Sequence, residues 1–359
     1  MLNKLDYSTA LQNKLIVSFV SSTILVSLLC TIYLLHRAES KLTYKTNEVI
    51  VSADTTIVIP KPIDPIYFTG DIMLGRHVER LLQQDAITPS HFTASFASSS
   101  AVVINFESAM ASPHIPVASG EMRFSVATSS LVILNELNVT HASLANNHSR
   151  DYGREGHINA ISELKKVGVE GFGDAVSVST SSVSSITVVT KTLSVLGIHT
   201  LFGEPNDSTL DTVFQYMEDT SDIQFVYIHW GEEYALMHNI GQANFARRLI
   251  ARGADAVIGH HPHVTQDIDV IDGVPIFYSL GNFIFDQYFS RDVKEGYVLS
   301  LNITSEALTF QIIPHHQCQK STPCPMVSDD KTEFFSAHAK RSNETLRDGI
   351  SAGEISFLR

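Results

Sequence analysis

Three imidazoles fall within four positions at His260, His261 and His263, with Pro262 stiffening the turn between them. Neutral imidazole is the commonest protein metal ligand, and several in one turn are the expected form of a metal site. They follow Ala256-Val257-Ile258, an apolar β-branched run too short for a helix, which reads as a buried strand. Other strand-like runs end in the same manner. Residues 66–69 lead to Asp71, 101–104 to Asn105 and Glu107, and 139–144 to Asn146, Asn147, His148 and Asp151. Residues 225–228 lead to His229, Glu232 and Glu233, and 274–278 lead to Asn282. In open α/β sheets, ligands and catalytic groups gather beyond the carboxyl ends of the strands. Asp, Glu, Asn and His together suit a borderline divalent ion, zinc, manganese or iron; copper would want Cys or Met, and calcium mostly oxygen. One or two such ions could clamp a phosphoryl group, and a spare His beside the leaving oxygen could act as general acid.

The elements that must position these groups alternate. Ile158, Ile161, Leu164 and Val167 stand at helical spacing and predict a helix over 156–167, stopped by Gly168. Phe245, Leu249 and Ile250 predict another over 242–252, closed by Gly253. Runs at 186–189 and 193–196 read as a hairpin, as do those around 297–303. The mixture of βαβ units with antiparallel strands implies an α/β domain of two packed sheets flanked by helices. Patterning weakens after Pro314, and residues 316–359 read as a peripheral tail.

The chain has 359 residues, 44% of them hydrophobic and 18% charged, which fits a globular core. A formal net charge of −13 argues against nucleic acid as a partner. There is no G-x-S-x-G, no Walker pattern and no dinucleotide glycine pattern, so serine-hydrolase and nucleotide-loop readings have no support. After a short N-terminal segment, 1–14, residues 15–35 carry no charge and are long enough to span a bilayer. They read as an uncleaved signal anchor followed by a linker over 36–64, with the membrane as a partner. Cys318 and Cys324 are the plausible cysteine pair, closing a small loop that needs an oxidising compartment. That places the main part of a single-pass protein outside the cytoplasm.

The series FTGDIML, NFES, ANNHSRDYG, HWGEEY, GHHPH and YSLGNF, in this order over residues 66–286, resembles the CapA family of capsule and poly-γ-glutamate synthesis proteins. That resemblance implies a four-layer α/β/β/α sandwich of the metallophosphoesterase type over 65–315. It implies His148 as catalytic acid, and Asp71, Glu107, Asn147, His229, His261 and His263 around a divalent metal. Asn105, Asn146, Arg76, Asp151, Glu233, His260 and Asn282 would hold substrate or support the ligands. Two positions depart from the phosphoesterase pattern. Met73 stands where a ligand His is expected, with His260 or Glu233 as its substitute, and Glu107 replaces a bridging Asp. The implied role is a metal-dependent hydrolase of a phosphoester or γ-glutamyl bond, working with other capsule-synthesis membrane proteins and an anionic polymer. The alternative is a non-catalytic assembly or transport partner that keeps the fold.

Overall fold

The computed structural model describes residues 64–118 and 120–358. The segment 1–14, the apolar span 15–35 and all but the last residue of the 36–64 linker lie outside the described residues. Among the described residues, no helix is long and apolar enough to cross a membrane.

The chain opens with β1 (Ile66–Ile72), followed by α1 (Arg76–Gln83), α2 (Ser90–Ala97) and β2 (Ala101–Phe106). Then come α3 (Val132–Glu136), β3 (His141–Ser143), α4 (Gly153–Lys166) and β4 (Glu170–Phe172). Strands β1 to β4 pair in parallel, and β1 and β2 are buried at every position. Parallel strands covered on both faces must be apolar throughout, which is why these runs show no polar alternation.

The chain next builds a second sheet from β5 (Val183–Val188), β6 (Lys191–His199), α5 (Asp207–Thr220) and β7 (Ile223–His229). It continues with α6 (Ile240–Ile250), β8 (Ala256–His260), β9 (Ile268–Ile271) and β10 (Val274–Phe277). The order is β5-β6-β7-β8-β10-β9. Helix α6 starts at a capping box in which Asn239 and Gln242 exchange side-chain to backbone hydrogen bonds, each 3.0 Å. That cap sets the helix start two residues before the apolar stripe suggests.

The remaining strands return to the first sheet: β11 (Asn282–Ile284), β12 (Glu295–Ile303), β13 (Ala307–Gln319) and β14 (Thr322–Pro325). After α7 (Ser328–Arg341) and α8 (Arg347–Ala352), β15 (Glu354–Leu358) closes the described chain. The first sheet runs β14-β13-β12-β1-β2-β3-β4, with β11 beside β1 and β15 beside β13.

Three apolar clusters define the layers. Phe68, Val103 and Leu299 of the first sheet meet Phe225, Tyr227 and Ile258 of the second. Val102, Ile104, Leu134 and Leu164 pack the outer face of the first sheet against its helices. Val226, Ile228, Phe214 and Leu249 do the same for the second. The result is helix, sheet, sheet, helix, each sheet hydrophobic on both faces.

The described part of the expected tail, 316–358, is not peripheral. β15 pairs with β13 from Ala307↔Leu358 to Gln311↔Glu354, and Phe334, Phe335, Leu346, Ile350 and Ile355 are buried in the core between the sheets. The local pattern is weak because α7 carries only a narrow apolar stripe among charged residues, and the pairing of β15 is non-local. Cys318 and Cys324 are joined by a disulfide across the β13–β14 hairpin.

Two buried imidazoles make the fold acid-sensitive. His315 lies edge-on to Phe283 and Phe92, and His338 lies against Tyr297 and Phe334, with no ring nitrogen of either hydrogen-bonded. Burial pushes His315 down to about 3 and His338 well below the usual histidine range. A pKa lowered by folding means that the unfolded chain takes up protons first. The associated stability is therefore complete above the unfolded value of about 6.5 and is lost as pH falls towards the folded values. His315 alone is expected to cost about 2 kcal/mol on going from neutral pH to pH 5. Urea unfolding at both pH values should show this loss shrink in His315→Leu; an unchanged pH dependence would refute the assignment.

Candidate metal centre

The two sheets meet at their carboxyl edges, and there the polar strand ends converge. Asp71 at the end of β1, Glu107 after β2, His229 at the end of β7, His260 at the end of β8, and His261 and His263 after it are all buried. Single ligand atoms of Asp71, Glu107 and His229 lie within 4.8 Å of one another, as do those of Glu233, His261 and His263. Two glycines allow this approach. A Cβ on Gly70 would sit 2.0 Å from Gly281 O, and one on Gly259 would sit 2.0 Å from Tyr278 O. His261 and His263 both take left-handed backbone angles, φ +97° and +57°. Such angles are uncommon outside glycine and mark a turn over-determined by its surroundings. Tyr234 N donates to Pro262 O at 2.8 Å and His261 N reaches Asp71 Oδ2 at 3.4 Å, which holds the turn.

A chain of side chains fixes the carboxylates. Asn146 Nδ2 donates to Asn105 Oδ1 at 3.1 Å and to Phe106 O at 2.9 Å, and Asn105 Nδ2 donates to Asp71 Oδ1 at 2.8 Å. The same Asn105 nitrogen lies 3.3 Å from His229 Nδ1. His260 Nδ1 reaches Asp71 Oδ1 at 3.1 Å, and His263 Nδ1 lies 3.2 Å from Asp71 Oδ2 and 2.9 Å from Asn282 Oδ1. Asn146 Oδ1 accepts from His148 N at 3.2 Å, so the residue that ties β2 to β3 also sets the His148 turn.

His148 stands over this cluster. Its Nδ1 is 2.8 Å from Asp151 Oδ2, its Nε2 is 3.7 Å from Glu107 Oε1, and its ring stacks on Phe124 with centroids 3.7 Å apart. Asp151 Oδ2 also accepts from Phe124 N at 2.7 Å. Its carboxylate thus orients His148; Tyr152, without a side-chain bond, occupies the cap of α4.

The electrostatics separate the groups. Burial alone would raise Asp71, but hydrogen bonds from His260 and His263 outweigh it and hold the carboxyl well below its usual range. Glu107 is pushed up to about 8 by burial, which the nearby His263 only partly opposes. Burial works to lower His263, yet Glu107 and Asp71 together raise it to about 9. Burial and the His263 charge drive His261 down to about 3, and burial with His261 as neighbour drives His229 well below its ordinary value.

Several buried atoms here have no hydrogen-bond partner: both Glu107 oxygens, Asn147 Oδ1, His229 Nε2, His260 Nε2 and His261 Nδ1. Unsatisfied buried polar atoms each cost about 1–3 kcal/mol and call for a specific explanation. A divalent cation satisfies carboxylate, amide and imidazole lone pairs at once, and it would keep Glu107 ionised at neutral pH. The donor set therefore fits such an ion, with Asp71, Glu107, His229, His261 and His263 as the residues that would hold it and Glu233 at the exposed mouth; Asn147, next to His148 in the chain, keeps a bare Oδ1.

Other expected positions lie apart from the cluster. Met73 is fully buried in the helix-side core, and its sulfur accepts from Gly75 N at 3.1 Å, so it faces away from the carboxylates. The Arg76 guanidinium is paired with Asp286, donates to Glu121 O at 2.9 Å, and lies 4.3 Å over the Phe124 ring that backs His148. Sequence reasoning missed Phe124, for which no local signal exists. It also missed His199, which ends β6 just as His229 ends β7; the hairpin reading of that run hid the strand end.

Fold and site together define a four-layer α/β sandwich with a carboxylate–imidazole centre at the strand ends. Residues 65–287, more than half of the chain, match the family described as bacterial capsule synthesis protein PGA_cap, and the chain belongs to that family. Among its relatives, the PGA biosynthesis protein CapA of Bacillus subtilis (strain 168) is 32% identical over 312 residues, 81% of each chain. The capsule biosynthesis protein CapA of Bacillus anthracis is 28% identical over 291 residues, 74% of this chain and 70% of the relative. Among solved structures, a hypothetical protein from Thermus thermophilus aligns with a TM-score of 0.43 and 17% identity, over 74% of this chain and 98% of that one.

Proposed function

We propose that this chain is a membrane-anchored, extracytoplasmic metal-dependent hydrolase of metallophosphoesterase type. In this reading it serves capsule or poly-γ-glutamate synthesis, export or anchoring by cutting a phosphoester or γ-glutamyl bond. Its partners would be other capsule-synthesis membrane proteins and an anionic polymer. The observation that carries the proposal is the set of orphaned buried ligand atoms on Glu107, His229 and His261, gathered beside an Asp151-oriented His148. The names of the two Bacillus relatives support the capsule role. The Cys318–Cys324 disulfide supports an oxidising compartment, and the apolar span 15–35 supports an anchor.

When bound, a divalent ion supplies Lewis-acid polarisation of the substrate oxygen and stabilises developing negative charge. The chain's own residues do the rest. Asp151 holds the His148 ring and balances its charge, so that Nε2 presents a proton to the leaving atom. Asn105 and His260 keep Asp71 oriented, and Asn282 does the same for His263, so few ligand motions remain to be frozen. Phe124 and Phe285 wall the site and exclude water from His148 and His263.

The test is metal content of the purified full-length protein, measured by mass spectrometry. Near-stoichiometric metal is expected in the wild type, and His261→Ala, which removes a proposed ligand, should lose more affinity than the about 10- to 100-fold that disturbing an outer-shell partner costs. A folded wild-type protein that retains no zinc, manganese or iron after loading and gel filtration would sink the proposal. Met73 favours the second reading, an assembly partner without catalysis, because the position expected to supply a ligand His gives the cluster nothing. That reading expects metal binding, if any, without turnover.

A further inference from the structure

One imidazole beside the cluster is left unused. His199 at the end of β6 stands in register with His229 on β7, and His229 with His260 on β8. Leu193 and Val195 pack between the sheets, whereas Leu196 and Ile198 pack on the helix side. The two-residue alternation of a strand therefore turns His199 inward, to the side of the metal cluster. Its ring lies 5.8 Å from that of His229 and 4.7 Å from that of Phe202. Nδ1 is 2.9 Å from Ala175 O. A carbonyl oxygen only accepts, so Nδ1 carries the hydrogen and Nε2 of the neutral ring is a lone pair. That Nε2 is buried without a partner, in a residue 4% exposed.

Beside it opens a cavity of about 400 Å³, lined among others by Asp174, His199, Phe202, Glu204, Asn206 and Thr209. Its carboxylates are already matched, Asp174 by Arg150 with Nε at 2.9 Å, and Glu204 by Arg248. Arg150 follows His148 by two residues, so the cavity wall is tied to the turn that carries the acid. A ligand entering here meets little net charge and a wall that includes His199, the ring with the bare nitrogen.

We propose that this cavity is a substrate subsite flanking the metal cluster, in which His199 Nε2 accepts a hydrogen bond from an N–H of the bound molecule, an amide or amine. The inference rests on the hydrolase reading for the fate of the bound group, but not for its binding. A phosphodiester without N–H has nothing to donate to this acceptor, whereas an amide at the scissile bond does. The subsite thus selects the γ-glutamyl-type amide over the phosphoester among the bonds considered above.

The experiment is calorimetric titration of the full-length, metal-loaded protein with two probes, γ-L-glutamyl-p-nitroanilide and bis(p-nitrophenyl) phosphate. His199→Leu is expected to weaken the anilide by about tenfold, the value of one buried hydrogen bond, and to leave the phosphodiester and the metal content unchanged. His199→Gln, whose amide oxygen restores an acceptor, should recover most of the loss. Thr209→Trp, which fills the cavity from α5 without touching the cluster, should block the anilide as well and keeps the test decisive if His199→Leu does not fold. Equal weakening of both probes, loss of metal in His199→Leu, or no anilide binding by the wild type would each overturn the subsite. Anilide binding without turnover would count against the hydrolase reading alone.

Discussion

Replacing His148 with alanine is expected to lower turnover by about 10²- to 10⁴-fold, the range for a positioned proton donor, while the metal stays bound. His148 Nε2 lies 3.7 Å from Glu107 Oε1, and its Nδ1 is committed to Asp151 at 2.8 Å. In the proposed function it moves a proton and is not among the residues that would hold the ion. Initial rates on γ-L-glutamyl-p-nitroanilide and bis(p-nitrophenyl) phosphate, taken with metal analysis of the same samples, separate the two roles. Asp151→Asn should show a smaller loss in kcat, because an amide can still restrain the ring but cannot balance its charge. If His148→Ala turned over normally, the proton donor would have to be sought elsewhere; if it lost its metal, His148 would be a ligand.

The second large effect is structural and needs no substrate. Gly259→Ala places a methyl group 2.0 Å from Tyr278 O and 2.5 Å from Trp230 Nε1, two atoms already joined by a 2.9 Å hydrogen bond. Neither can retreat easily. Tyr278 follows β10, Trp230 follows β7, and β8, which carries Gly259, is paired on both sides by these strands. Overpacking of this kind costs about 1–3 kcal/mol and more where backbone must shift. A loss of about 3 kcal/mol in urea unfolding, seen as a lower midpoint with unchanged slope, is expected. Because His260 and His261 come directly after Gly259, metal affinity should fall in parallel. A variant of wild-type stability would mean that the strands can separate here without cost, contrary to the packing around Trp230 and Tyr278.

Most of the cluster could be read along the chain because its ingredients are local. A strand needs only a short β-branched run, and the residues just past its end must sit at the sheet edge. That Asp71, Glu107, His229 and His261 come to the sheet edge is therefore legible one strand at a time, as is the α/β character of the domain. Which nitrogen or oxygen remains bare was not legible, because hydrogen bonds at the site join residues far apart in sequence. Asn105 engages Asp71 and His229, His260 engages Asp71, and Asn282 engages His263 across separations that no local window spans. The same non-locality turned Met73 into the helix-side core, drew Arg76 to Asp286, brought Glu354–Leu358 into the first sheet, and set His199 beside His229. Strand periodicity and turn chemistry, both local to the chain, settle which chemical groups reach the carboxyl edge. Which of them satisfy one another, and which are left to bind something else, is set by the packing of two sheets built from distant parts of the chain, and so emerges only in three dimensions.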